Sequence, residues 1–67
     1  MITVNGRPMP WHGKLTFEEI YRFLGYSISR PMVNTIVNGR LINKSKRDSF
    51  SIPDGAEVKI VNILKGG

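Results

Sequence analysis

Few side chains in this chain of 67 residues could carry out chemistry. His12 is the single histidine, and there is no cysteine. A lone imidazole with no second ligand at a suitable spacing makes no metal site. With no nucleophile beside it, it makes no acyl-transfer pair either. The lack of cysteine removes a disulfide framework, a thiolate centre and a persulfide held on this chain. Glu18 and Glu19 form the one tight carboxylate pair, but a helical pattern begins there. Glu19 reads as part of a helix cap, and Glu18 faces the positive end of the helix dipole. No glycine-rich loop precedes a helix, so no phosphate cradle is expected. No catalytic or metal-ligating residue is assigned, and no bound cofactor is expected. The chain closes on NILKGG, with Gly66 and Gly67 last. A terminal carboxyl has a pKa of roughly 3.3–3.7 and is ionised at neutral pH. Glycine lacks a Cβ, permits unusual φ and lets a backbone approach a reacting centre closely. Two glycines in a row leave the carbonyl carbon open to attack. A glycine-rich chain end can also be nothing more than a frayed terminus.

Those glycines need a body to hold them out. Ile2 and Val4 alternate with Thr3 and Asn5, the period of a half-buried strand. Asn5-Gly6 is the dipeptide favoured in tight type I′ hairpins. The chain should return through Arg7–Trp11 with Met9 and Trp11 inward. Pro8 and Pro10 cannot donate to a ladder, which puts this strand at a sheet edge. The stretch LTFEEIYRFLG carries a helix. Thr16 is its N-cap, Glu19 completes a capping box, and Leu15 with Ile20 can form a hydrophobic staple. Phe17, Ile20, Tyr21 and Leu24 make one apolar stripe, and Gly25 ends the helix. A second strand–turn–strand signal surrounds Asn38-Gly39. Val33, Thr35 and Val37 share one face there, Asn34 and Ile36 the other. KSKRDSF reads as a loop or a single short turn. After a turn at Pro53-Asp54-Gly55, the last strand puts Val58 and Ile60 on one face and Glu57, Lys59, Val61 and Ile63 on the other. It carries the densest apolar run and is placed centrally, parallel to the first strand. The order β–β–α–β–β–β gives an α+β fold, a mixed sheet of about five strands with one main helix on one face.

A chain this short buries only about 60% of its unfolded surface, so its stability margin is thin. Lys and Arg number 10 against 5 Asp and Glu, a formal charge of +5 that suits nucleic acid or an acidic protein surface. The charges are scattered, and NKSKR at 43–47 is the one cluster. No run approaches the roughly 18 apolar residues of a membrane span, and the N-terminus does not read as a signal peptide. The expectation is a cytoplasmic protein, monomeric when free, that does not engage a membrane.

The opening ITVNGRPM, the helix LTFEEIYRFLG, the VNG turn at 37–39, IPDGAEVKIV and the terminal Gly66-Gly67 occur in an order and spacing that resemble the ThiS family of ubiquitin-like β-grasp sulfur carriers. The resemblance covers nearly the whole chain. MoaD, the small subunit of molybdopterin synthase, is similar and also ends in two glycines, but the length here favours ThiS. The resemblance implies a β-grasp domain over residues 1–64 and a flexible tail over 65–67. It implies a protein co-substrate rather than an enzyme. An E1-like, ThiF-type partner would use ATP to adenylate the Gly67 carboxylate. Sulfur from a persulfide donor would then replace AMP to leave a thiocarboxylate, and a ThiG-type thiazole synthase would use that sulfur for the thiazole ring of thiamin. Gly66, Lys65 and Leu64 would thread the partner's channel. Ile36, Val61 and Ile63, on the open face of the sheet, would form the partner-binding surface. Two features depart from the family's habit: Ile36 stands where acidic or small residues are common, and Lys65 precedes the glycines where apolar residues or glycine are common. The alternatives are a MoaD-like carrier for molybdopterin synthesis and, in a different class, a small basic β-grasp module that binds RNA or protein. Nucleic acid is not the expected partner, since no aromatic pair is expected on the open face for base stacking.

Overall fold

Two Asn-Gly dipeptides frame the sheet. The computed structural model describes residues 1–28 and 31–63. Strand β1 (Ile2–Val4) turns at Asn5 and Gly6 into β2 (Arg7–Met9), and β3 (Val33–Val37) turns at Asn38 and Gly39 into β4 (Arg40–Ile42). In both turns the two central residues have positive φ: 52° and 82° at the first, 50° and 82° at the second. A type I′ turn needs this geometry, and its twist matches that of the flanking strands. Asn and Gly are the residues that reach it at least strain. The last strand, β5 (Glu57–Asn62), lies between the two hairpins, and the sheet order is β2-β1-β5-β3-β4. β5 runs parallel to β1, with Val4 beside Val58, and antiparallel to β3, with Ile36 beside Lys59.

The expected alternation holds on β1, β3 and β5. Ile2, Val4, Val33, Thr35, Val37, Val58 and Ile60 are buried. They face α1 (Phe17–Phe23), which contributes Phe17, Ile20 and Tyr21 to the same core. Complete burial of an aliphatic or aromatic side chain contributes roughly 1.5–3 kcal/mol. Leu15 and Ile20 are both buried, as the staple requires. Phe23 lies off the apolar stripe but has its own contact, with the Arg7 guanidinium 5.0 Å from its ring centroid. The buried hydroxyl of Thr35 is satisfied by the Tyr21 hydroxyl at 2.8 Å. This bond ties the helix to the sheet at a point where an unpaired oxygen would cost about 1–3 kcal/mol.

β2 is an edge strand as expected, but it stops at Met9 instead of continuing to Trp11. Pro10 has no N–H with which to extend the ladder. Trp11 still turns inward, and its indole N–H donates to the Ile52 carbonyl at 2.8 Å. KSKRDSF contains a single 3-10 turn at Lys44–Lys46. Gly55 takes φ +84° in the turn before β5. Among the described residues, no helix is long and apolar enough to cross a membrane.

The helix start is held by side chains. Thr16 Oγ1 accepts from the Glu19 N–H at 3.3 Å, and Glu19 Oε2 accepts from the Thr16 N–H at 3.2 Å. The other carboxylate oxygen of Glu19 meets His12 Nε2 at 2.9 Å. The Lys14 N–H donates to His12 Nδ1 at 3.3 Å, which leaves Nε2 to carry the proton toward Glu19. His12 lies in the loop after the edge strand and helps to shape the helix start. The hydrogen bond from His12, with those from Thr16, holds the Glu19 carboxyl below its ordinary value, against the opposing effect of desolvation.

β5 is pinned from both sides by the turn asparagines. Asn5 Oδ1 accepts from the Ile60 N–H at 2.8 Å, and its side-chain amide donates to the Ile60 carbonyl at 3.3 Å. Asn38 Oδ1 accepts from the Glu57 N–H at 2.9 Å, while the Asn38 N–H donates to the Glu57 carbonyl at 2.8 Å. Each side chain continues a ladder past the point where its own strand turns away.

Asn5→Gly keeps the turn's φ but removes both bonds to Ile60. It should lower stability by about 1–3 kcal/mol. For a domain of this size each kcal/mol moves the melting temperature by about 4–8 °C, which circular dichroism resolves. Asn5→Ala should fall further because alanine is strained at positive φ. A wild-type melting curve for Asn5→Gly would show that the clamp contributes nothing. A second prediction concerns acid. Because the folded pKa of Glu19 is depressed, the cap's contribution is present above the unfolded value, about 4.3, and is lost as pH falls through the lower folded value. Carboxyl NMR titration should place Glu19 below that value, and His12→Ala should move it up.

Candidate functional site

The expected reactive terminus and its threading segment, Leu64, Lys65, Gly66 and Gly67, lie outside the described residues. The structure does define the point from which they depart. β5 ends at Asn62, and the Ile63 N–H donates to the Met32 carbonyl at 3.3 Å. Asn62 pairs with Val33, and its side-chain oxygen accepts the Tyr26 hydroxyl at 2.8 Å. Tyr26 is itself held at the end of the helix. Its N–H donates to the Tyr21 carbonyl at 3.0 Å, and the two rings meet edge to face at 6.2 Å. On the far side of Val33, where β4 no longer runs alongside, Arg47 donates to the Val33 carbonyl at 2.8 Å. The exit of β5 is thereby tied to the helix through one tyrosine and to β3 through its own ladder. Neither Tyr26–Asn62 nor Arg47–Val33 follows from local sequence pattern, because each joins residues far apart in the chain.

The second half of the candidate site is the sheet face opposite the helix. Ile36 on β3 and Val61 on β5 alternate with buried neighbours and so face away from the helix, while Ile63 follows the last residue of β5. Ile36 is half-buried, and Val61 and Ile63 are 47% and 38% exposed. Leu41 joins them. It lies directly across from Ile36 in the β3–β4 ladder and is 55% exposed. The sequence carried this signal too, since a two-residue hairpin turn fixes the register and hence the pair. In the ladder Val61 lies across from Asn34 and Ile36 across from Lys59, so these exposed aliphatic side chains are interleaved with polar ones on a face of the kind that suits an interaction surface. Lys59 sits within this patch, next to Ile36 on the neighbouring strand and two residues before Val61.

No group on the open face is arranged for catalysis. Its described members are aliphatic or amide side chains, Thr3, Pro8, and the charged pair Glu57 and Lys59. All six aromatic residues belong to the core or pack against it: Trp11, Phe17, Tyr21, Phe23, Tyr26 and Phe50. A groove of about 540 Å³ runs on the helix side between the start of α1 and the 44–51 loop, bounded by Lys14, Phe17, Arg47 and Phe50. Ile36, Val61 and Ile63 do not line it. Among the described residues, no group of His, Asp and Glu is placed to hold a metal ion.

The chain matches the model of the ThiS family over residues 2–67. A search of curated proteins gives no match. Among solved structures, the chain is similar to the crystal structure of the thiamine biosynthesis protein ThiS from Geobacter metallireducens. The TM-score is 0.71 at 26% identity, covering 98% of this chain and 97% of that one.

The two sheet faces make the register testable with the same Val→Thr change at two positions. Val61→Thr on the open face should change stability by less than about 1 kcal/mol. Val58→Thr puts an unpaired hydroxyl into the core and should cost about 1–3 kcal/mol. Urea denaturation distinguishes the two, and equal effects would mean that the faces are wrongly assigned.

Proposed function

Because this chain belongs to the ThiS family, we infer that it is a small sulfur carrier of thiamine biosynthesis rather than a catalyst. In this reading the chemistry happens at Gly67, inside other proteins. A carboxylate oxygen of Gly67 attacks the α-phosphorus of ATP in a ThiF-type enzyme, pyrophosphate leaves, and an acyl-adenylate forms. The terminal sulfur of a persulfide attacks the acyl carbon and AMP leaves. A thiol then cleaves the resulting S–S bond, so the carrier keeps one sulfur as a thiocarboxylate. A ThiG-type synthase takes that sulfur into the thiazole ring. The first step is a substitution at phosphorus, the second replaces AMP by sulfur at the acyl carbon, and the third breaks only the S–S bond; the acyl substitution follows the logic of covalent acyl transfer.

The observation that carries this reading is the match of nearly the whole chain to the family, on a fold whose central strand leads directly into the Gly-Gly end. The geometry supports a division of labour. The domain fixes where the chain leaves the sheet and offers an apolar face beside that exit. Leu64, Lys65 and Gly66 span the distance into the enzyme, since four residues beyond Ile63 reach at most about 14 Å when extended. Ile36, Leu41, Val61 and Ile63 dock the domain. The competing RNA-binding reading calls for exposed rings on which bases stack. All six aromatic side chains are instead engaged with the core.

Incubation with ATP, a ThiF-type enzyme and a persulfide donor should add about 16 mass units to the C-terminal peptide, as sulfur replaces oxygen. A chain lacking Gly67, or extended by one residue, should gain nothing under the same conditions. An unmodified wild-type peptide, together with salt-dependent retardation of RNA in a gel, would favour the nucleic-acid module instead.

A further inference from the structure

The open face is not uniformly apolar. Lys59 projects from the central strand, with Ile36 directly across on β3, Leu41 one strand beyond and Val61 next on its own strand face. Cross-strand neighbours of this kind stand about 4.5–5.5 Å apart at Cβ. Lys59 makes no hydrogen bond or ion pair among the described residues. The one acidic side chain near it on this face, Glu57, forms no salt bridge with it. A lysine ammonium in water needs no partner. Covered by a docked protein, it loses its hydration, and an unpaired buried charge is strongly unfavourable. The surface that covers this patch must therefore supply a counter-charge at its centre. The charge balance of the whole chain, +5, favours the same sign of partner.

We propose that the adenylating enzyme that charges this chain meets the open face with an apolar surface bearing a carboxylate opposite Lys59. The inference rests on the carrier reading and adds the chemistry of the partner surface. Ile36 and Leu41 on one side and Val61 at one end exclude water from part of the contact, and the Lys59–carboxylate pair fixes the register of docking. A wrong partner with a neutral or basic centre is rejected because it leaves the ammonium buried and unpaired. Lys59 thus acts in binding and takes no part in acyl transfer.

The test measures pyrophosphate release by the ThiF-type enzyme as a function of carrier concentration, for the wild-type chain and for Lys59→Glu and Lys59→Arg. Lys59 is exposed, so melting curves should coincide and exclude misfolding. The expected result is a KM raised about tenfold or more in Lys59→Glu with kcat within about twofold, and near wild-type behaviour in Lys59→Arg. Added salt should raise the wild-type KM and have less effect on Lys59→Glu. Charging of Lys59→Glu at an unchanged KM overturns the proposal and leaves the carrier reading standing. The same holds if the wild-type chain proves to be a dimer that Lys59→Glu dissolves, with Glu57 of one copy meeting Lys59 of the other. Failure of the wild-type chain to be charged overturns the carrier reading and this inference with it.

Discussion

The structure depends on how its last strand is held. β5 is the final element to be made and the centre of the sheet. It has no hairpin of its own, so nothing local fixes its register. Two asparagine side chains do this from opposite sides, Asn5 at Ile60 and Asn38 at Glu57. Each belongs to a hairpin turn and already supplies the positive φ that the turn requires. One residue thus closes a hairpin and also extends the ladder to a strand tens of positions away. A one-residue slip of β5 would move Val58 and Ile60 out of the core and Lys59 into it. The asparagine bonds oppose that slip at both ends of the pairing.

A domain of 67 residues has little buried surface with which to define one state, so specific polar contacts matter more than their modest energies suggest. Tyr21 and Thr35 fasten helix to sheet in the core. Tyr26 and Asn62 fasten the helix end to the strand exit. The capping box and His12 fasten the helix start. Together they align the helix with the direction in which β5 leaves the body. In the carrier reading, these contacts fix the point from which the chain continues beyond Ile63.

The same architecture explains why the domain needs little chemistry of its own. One sheet face is spent on the helix and the core. The other carries Ile36, Leu41 and Val61 beside Lys59, with Glu57 and Asn34 on the same face. In the carrier reading the activating enzyme supplies the nucleotide and the electrophile chemistry, while this chain supplies recognition and an unbranched acyl group. Such a division suits a chain without cysteine, whose one histidine is occupied at a helix start.

Local pattern alone determined the elements. Asn5-Gly6 and Asn38-Gly39 set two hairpins, Thr16 and Glu19 set the helix start, and strict alternation assigned Val58 and Ile60 to the core and Val61 to the open face. All of these rest on interactions within a few residues, which sequence periodicity reports directly. Most of the candidate surface was legible for the same reason, and Leu41 was implied by the hairpin register. Tertiary structure decided the rest. It set the bonds from the turn asparagines to β5, the Tyr26–Asn62 link at the strand exit, the early end of β2 with Trp11 turned to Ile52, and the placement of Lys59 beside Ile36. The hydrogen bonds among these join residues 19, 36, 41 and 55 positions apart. No local period encodes which distant partners meet, because that follows only when the sheet closes around its central strand.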